Sequence, residues 1–231
     1  MNKGFQYENK ILKLMKENNF VSQNFLNQST AGSDNTQPDL VLNLKGKDTN
    51  IELKQNIKSQ FGGTSIRYSK DCFDLVKEVK GIDKEVIFNQ LENKKDYINN
   101  FLSFHEANCI PFSTTKEMWN KSVKEGMLKK ININVKCDTS FIEEHYARKN
   151  TYYINIGGKG LYYMKNDILN LGVPRLNCDT SLEIRLTRNG STLNSKGVRV
   201  CSAALRIQSR IKNLEESTHS LENINSINEF R

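Results

Sequence analysis

From Lys3 to Asn18 the apolar residues recur at helical spacing. At about 100° per residue, Phe5, Ile11, Leu12 and Met15 share one face, which predicts an amphipathic first helix. Glu8 falls in the middle of that face. A carboxylate aimed at a core is costly unless it is paired or binds a cation, so Glu8 is either a candidate ligand or a rim residue whose head reaches water. Phe20–Leu26 reads as a short strand, and Asn27–Gln37, rich in Ser, Thr, Asn, Asp and Gly, as a loop. Two strands follow, Asp39–Leu44 and Asn50–Gln55. The polar turn Lys45-Gly46-Lys47-Asp48-Thr49 joins them into a hairpin.

Beyond the hairpin, the Gly-Gly loop Gln60–Ser65 leads into a strand or turn and then a helix near Lys70–Lys80. Lys84 to about Leu128 is mainly helical in pattern, broken at Cys109-Ile110-Pro111. After Lys130 the texture turns to strands, at Ile131–Lys136, Tyr152–Ile156, Leu161–Met164, Leu182–Thr187 and Val198–Leu205, with one helix over Ser140–Ala147. Glu215–Arg231 is polar and is expected to fray. The pattern is that of one α/β domain over residues 1–215, with a mainly helical insertion at about 82–130 and a polar tail at 216–231.

Composition narrows the choices. No apolar run approaches the roughly 20 residues that span a bilayer, and the first residues lack a signal peptide's apolar stretch. A soluble cytoplasmic protein without a membrane partner is expected. The five cysteines are odd in number and scattered, and the three histidines are not spaced to share a metal with them. That argues against a zinc site or a disulfide framework. His105, His145 and His219 have no partners at catalytic spacing, and Trp119 reads as packing within a helix. A net charge of +8 favours a polyanionic partner.

The chemistry concentrates in Pro38-Asp39, followed after twelve residues by Glu52-Leu53-Lys54. Residues two apart in a strand point the same way, so Glu52 and Lys54 share a face while Leu53 turns inward. A short hairpin turn brings Asp39 back beside Lys54 and Gln55. Two carboxylates and an ammonium therefore converge. Hard oxygens of this kind suit Mg2+, which keeps several of its waters and activates one of them as a nucleophile. A neighbouring lysine can orient that water or stabilise the charge that gathers on phosphorus.

Together these residues resemble the PD-(D/E)XK nuclease superfamily. The resemblance rests on Pro38-Asp39 and Glu52-Leu53-Lys54, on Gly4-Phe5-Gln6-Tyr7-Glu8 in a first helix, and on the polar lead-in Thr30-Ala31-Gly32-Ser33. It covers about the first 70 residues. It implies a restriction-endonuclease-like core of helix, three-strand meander, helix and strand, here with added C-terminal β-strands. It also implies that Asp39 and Glu52 bind Mg2+ (Mn2+ substituting), with Glu8 an accessory ligand and the Leu53 carbonyl completing the coordination. Lys54 would act on the attacking water or the transition state, and Gln55 would support the site or touch phosphate.

Gripping DNA requires cations, hydroxyls and amides placed against phosphates. The segment after the second strand offers Lys58, Gln60, Thr64, Ser65, Arg67 and Lys70, with glycines that allow close backbone approach. Arg185 lies on the open face of a half-buried strand and could join them. A DNA endonuclease of restriction, repair or junction-resolving type is the leading expectation. A two-fold dimer would suit a double-strand cut. An exonuclease of the same fold and a non-catalytic basic nucleic-acid-binding protein are the alternatives.

Overall fold

The computed structural model describes residues 3–29, 37–69, 72–75, 82–96, 98, 114–115, 117, 120–121, 124–125, 134–193, 195, 197 and 199–231. The protein is a mixed α/β structure built on two sheets. Helix α1 (Lys3–Glu17) leads into strands β1 (Leu40–Leu44) and β2 (Lys47–Lys54). Strands β3 (Gly63–Ser69) and β4 (Cys72–Leu75), helix α2 (Lys84–Glu92), β5 (Thr114–Thr115) and β6 (Asn134–Cys137) follow. Helix α3 (Ser140–Ala147) then precedes β7 (Thr151–Ile156), β8 (Gly160–Tyr163), β9 (Asp179–Leu193) and β10 (Arg199–Lys212).

The first sheet has the order β1-β2-β7-β8, with β2 antiparallel to β1 and parallel to β7. The parallel pair needs a crossover, and the chain returns to the sheet through α3. The second sheet runs β4-β3-β10-β9-β6, with β5 paired to β10. One core lies between α1 and the first sheet and includes Ile11, Leu42, Leu53, Tyr153 and Phe230. The other joins the opposite face of that sheet to α3 and the second sheet through Tyr146, Ile154, Phe61 and Ile207. Strand β2 thus sends Ile51 and Leu53 toward α1, and Glu52 and Lys54 toward α3. Among the described residues, no helix is long and apolar enough to cross a membrane.

Several expectations need correction. In α1 the buried residues are Tyr7, Ile11, Leu12 and Met15, whereas Phe5 is exposed at the helix start. Phe20–Leu26 is not a strand and contains only a single 3-10 turn at Gln23–Phe25, so the expected three-strand meander is a two-strand hairpin. The free edge of β1 is satisfied otherwise. The Gln28 side chain both donates to the Val41 carbonyl (2.9 Å) and accepts from the Val41 amide (3.0 Å). The Phe20 carbonyl accepts from the Asn43 amide at 2.7 Å. One side-chain amide stands in for a strand's hydrogen bonds.

The helix expected near Lys70–Lys80 is contradicted at Cys72–Leu75, which forms β4, antiparallel to β3. Within the expected helical insertion, α2 is present, its start capped by the Asp83 carboxylate accepting from the Glu85 and Val86 amides. Most of the rest, including His105, Trp119 and the Cys109-Ile110-Pro111 break, lies outside the described residues. So does the Thr30–Ser33 lead-in. The C-terminal segment is packed rather than frayed: Leu221, Ile227 and Phe230 are buried in the core under α1. Its backbone is tied down where the Ser217 amide donates to Lys159, Leu161 to His219 and Lys45 to Phe230.

Candidate active site

The hairpin sets the geometry. Lys45 and Gly46 both have positive φ (49° and 74°), as a two-residue type I′ turn requires. That turn fixes Leu44 opposite Lys47 and, at the far end, Leu40 opposite Ile51. The pairing ends at Leu40, and Asp39, the next residue out, lies beside β2 at Leu53, close enough to Glu52 for that charge to be felt. The Leu53 amide donates to Asp39 Oδ2 at 2.9 Å and holds that carboxylate at the end of the strand.

Glu52 is almost wholly buried, 3 % exposed. Lys54 Nζ stands 2.5 Å from its Oε1, while Glu52 Oε2 is buried without a hydrogen-bond partner. The Lys54 ammonium also lies over the Tyr146 ring, 5.7 Å from its centroid. Burial works against the Lys54 charge, but Tyr146, Glu52 and Asp39 outweigh it and hold its pKa above the ordinary value. Tyr146 is wholly enclosed. Burial, with Glu52 nearby, raises its phenol well above the ordinary value, so it stays neutral.

Asp39 carries the clearest electrostatic signature. Burial first, and the neighbouring Glu52 carboxylate second, push its pKa up to about 7; Lys54 and the Leu53 amide oppose this, and Glu8 adds to it. Glu8, on α1, is therefore near enough to Asp39 for its charge to be felt. His145 completes the surroundings. Burial and Lys149 lower its pKa to about 4, with Glu52 pulling the other way and Lys54 adding to the fall. Its ring packs edge-on against Tyr146 (5.0 Å) and closely over Gly62, where an added Cβ would come within 2.8 Å of the imidazole.

Asp39, Glu52 and Lys54 thus lie together at the end of β2, and the charge of Glu8 is felt at Asp39. Leu53 lies among the three through its amide. Gln55 follows Lys54 where β2 ends, and its carbonyl abuts Gly157. Of the phosphate candidates, Lys58 and Gln60 are exposed in the loop after β2, and the Lys58 carbonyl accepts from Arg210 Nη1. Thr64 and Ser65 lie in β3, with Thr64 Oγ1 buried and without a hydrogen-bond partner. Arg67 is a backbone position of β3, and Lys70 lies outside the described residues. Arg185 is not brought to the cluster: it sits on the face of β9 opposite the buried Leu182 and Ile184, held by Glu183 at 2.5 Å.

Tyr146 and His145 are the site residues that sequence reasoning missed. His145 has no partner at catalytic spacing in the sequence, yet in the fold its ring packs against Tyr146 and Gly62 and feels the charges of Glu52 and Lys54 on β2. Only the parallel pairing of β2 with β7, which brings α3 over Glu52 and Lys54, shows this. Gly157 secures the same junction. Its amide donates to the Lys54 carbonyl at 2.8 Å, and an added Cβ would sit 2.3 Å from the Gln55 backbone oxygen. Gly157→Ala should therefore force β2 and β7 apart at Lys54 and cost about 1–3 kcal/mol. Urea unfolding of the variant beside the parent checks this.

The donors present are hard carboxylate oxygens, which fit a Mg2+ ion. Among the described residues, no group of three or more His, Cys, Asp or Glu converges as a ready cation cage. Mg2+ does not demand one, because it is commonly held by one or two carboxylates and keeps waters elsewhere. The buried, unbonded Oε2 of Glu52 and the crowded carboxyl of Asp39 are what such an ion would relieve. No family model, no curated protein and no solved structure matches this chain.

Proposed function

We propose that the protein is a Mg2+-dependent nuclease that hydrolyses DNA phosphodiester bonds, with Asp39, Glu52 and Lys54 as its catalytic residues. The observation that carries this reading is the Asp39 carboxylate bonded to the Leu53 amide at the end of the hairpin, with the Lys54 ammonium against Glu52 and a buried Glu52 oxygen left unbonded. A binding-only protein gains nothing from acidic side chains beside phosphate, since without a cation they repel it. The order α1, β1, β2, α3, β7, with β7 parallel to β2, supports a restriction-endonuclease-like core that lacks the first strand of its meander.

Asp39 and Glu52 would hold the ion, with Glu8 in reach as a further carboxylate and the Leu53 carbonyl as a backbone donor. A bound Mg2+ supplies Lewis-acid charge, lowering the pKa of a water and neutralising the phosphate oxygens. Lys54 is paired with Glu52 and lies over the Tyr146 ring, so its positive charge is in place before substrate arrives. The Leu53 amide fixes the direction of the Asp39 carboxylate. Lys58, Gln60, Thr64, Ser65, Arg67, Lys70 and Arg185 remain candidates for phosphate contact, those in the 56–65 segment lying nearest to the end of β2. Mn2+ should substitute for Mg2+. A two-fold dimer would allow both strands to be cut.

The direct test is plasmid nicking by purified protein with Mg2+, with and without chelator, followed by a panel of linear, single-stranded, flap and four-way-junction DNA. Chelator-sensitive nicking supports the enzyme, and preference for ends would mark an exonuclease. Binding without cleavage would favour the non-catalytic alternative. The Mg2+ requirement should also depend on pH. Asp39 with a pKa of about 7 is protonated below neutrality, and a proton competes with the cation. The Mg2+ midpoint should thus rise about tenfold per pH unit below 7 and level off above about 8. His145, with a pKa of about 4, stays neutral across that window and adds no slope. Titrations at pH 6, 7 and 8 measure it.

A further inference from the structure

We propose that Asn155 is a positioning residue of the acidic site, and that the C-terminal segment acts on the site through it. The hydrogen-bonded chain Leu221–Asn155–Tyr7 fixes the setting of α1, the helix that carries Glu8, against β7. The inference rests on the nuclease reading for its chemical consequence, but its structural half stands independently.

Asn155 is wholly buried in the middle of β7, in register beside Leu53 of β2. Both ends of its amide are used: Nδ2 donates to the Tyr7 hydroxyl at 2.8 Å, and Oδ1 accepts from the Leu221 amide at 2.9 Å. One side chain thereby joins α1, the strand beside the catalytic strand and the C-terminal segment. A leucine would fill the same core space without a polar group to satisfy. What the asparagine adds is direction, since its bonds are met in only one arrangement of the three segments.

Tyr7 immediately precedes Glu8 in α1, so the roll of the helix about its axis governs where Glu8 points. A roll of about 20° would carry a side-chain head through about 2 Å, enough to break metal coordination. The Tyr7 ring is seated where Gly157 leaves room for it, with Cε2 3.1 Å from the position of an added Cβ. The C-terminal segment grips the same region a second time. Glu222 accepts from the Gly158 amide at 2.9 Å and lies 3.7 Å from Lys10 of α1. Tyr7, Asn155 and Glu222 together fix the helix that carries Glu8 to the strands that carry Asp39 and Lys54.

The variant to make is Tyr7→Phe, which keeps the ring and removes only the hydroxyl. Without metal, amide hydrogen exchange over residues 5–10 should quicken relative to the parent; unchanged exchange there overturns the positioning role. Direct Mn2+ titration without DNA should show Tyr7→Phe binding about tenfold more weakly. In a Glu8→Gln background the same substitution should change Mn2+ affinity by less than about twofold, because its effect passes through Glu8. An equal loss in both backgrounds would mean a general loosening and would overturn the proposal. So would a Tyr7→Phe protein that binds Mn2+ as the parent does. A parent that binds no Mn2+ and cuts no DNA overturns the nuclease reading instead, and with it the step through Glu8.

Discussion

Asp39→Asn should abolish cleavage yet leave the metal-free protein as stable as the parent, or more stable. The reason lies in the sign of the Asp39 shift. Its pKa is raised from the ordinary carboxylate value to about 7, so the folded protein holds a proton that the unfolded chain releases. Between about pH 4 and 7 the stability contributed by this group therefore falls as pH rises, and at pH 8 the ionised form is a net burden. Asparagine removes the charge and can still accept from the Leu53 amide. A gain on the order of 1–3 kcal/mol at pH 8 is expected. Cleavage should fall by a factor of about a thousand or more, because the hard anionic ligand is gone.

Lys54→Ala should be equally inactive but unstable, for the opposite reason. Glu52 would keep a buried charge without its ammonium, a loss that costs about 3–5 kcal/mol. Urea unfolding and nicking assays on both variants separate the two. Equal destabilisation of both variants, or cleavage retained by Asp39→Asn, would remove the basis for treating Asp39 as a site built for a cation.

The proposed catalytic triplet was legible because its geometry is local. A two-residue period places Glu52 and Lys54 together, and a short turn must bring Asp39 back to them. Glu8 was legible because a carboxylate stood in an apolar stripe. Tyr146 and His145 were not, because their place beside Lys54 depends on β7 pairing with β2 across the whole intervening segment. Phe20–Leu26 has the composition of a strand, but the Gln28 amide already occupies the β1 edge at Val41. The β9–β10 hairpin runs further than its apolar alternation, with pairing resumed at Thr192 and Leu193 after a register shift beyond Asn189, because cross-strand pairing rather than side-chain pattern sustains it. Phe5 continued the helical stripe in sequence, yet it sits on the first turn, beyond the surface that the sheet covers.

The C-terminal segment was misread for a different reason, and it supports the second large prediction. Polar residues dominate Glu215–Arg231, and its three apolar anchors, Leu221, Ile227 and Phe230, are too widely spaced to form a stripe. Each is nevertheless buried against α1 and the hairpin. Removing a buried Leu, Ile or Phe side chain costs about 2–5 kcal/mol, and a domain of this kind has only about 5–15 kcal/mol in total. A chain ending at Leu214 should therefore lose its cooperative unfolding transition and its near-ultraviolet circular dichroism. Phe230→Ala alone should fold but be weaker by about 3–5 kcal/mol, because the Phe230 carbonyl that accepts from Lys45 survives while the ring that fills the core is lost. Lys45 begins the turn that sets the hairpin register and so brings Asp39 back to Leu53, and the damage should reach the site as well as the fold. A truncated chain that keeps the parent's melting temperature would show that the first sheet and α1 stand without this segment, and that the hairpin needs no support from it.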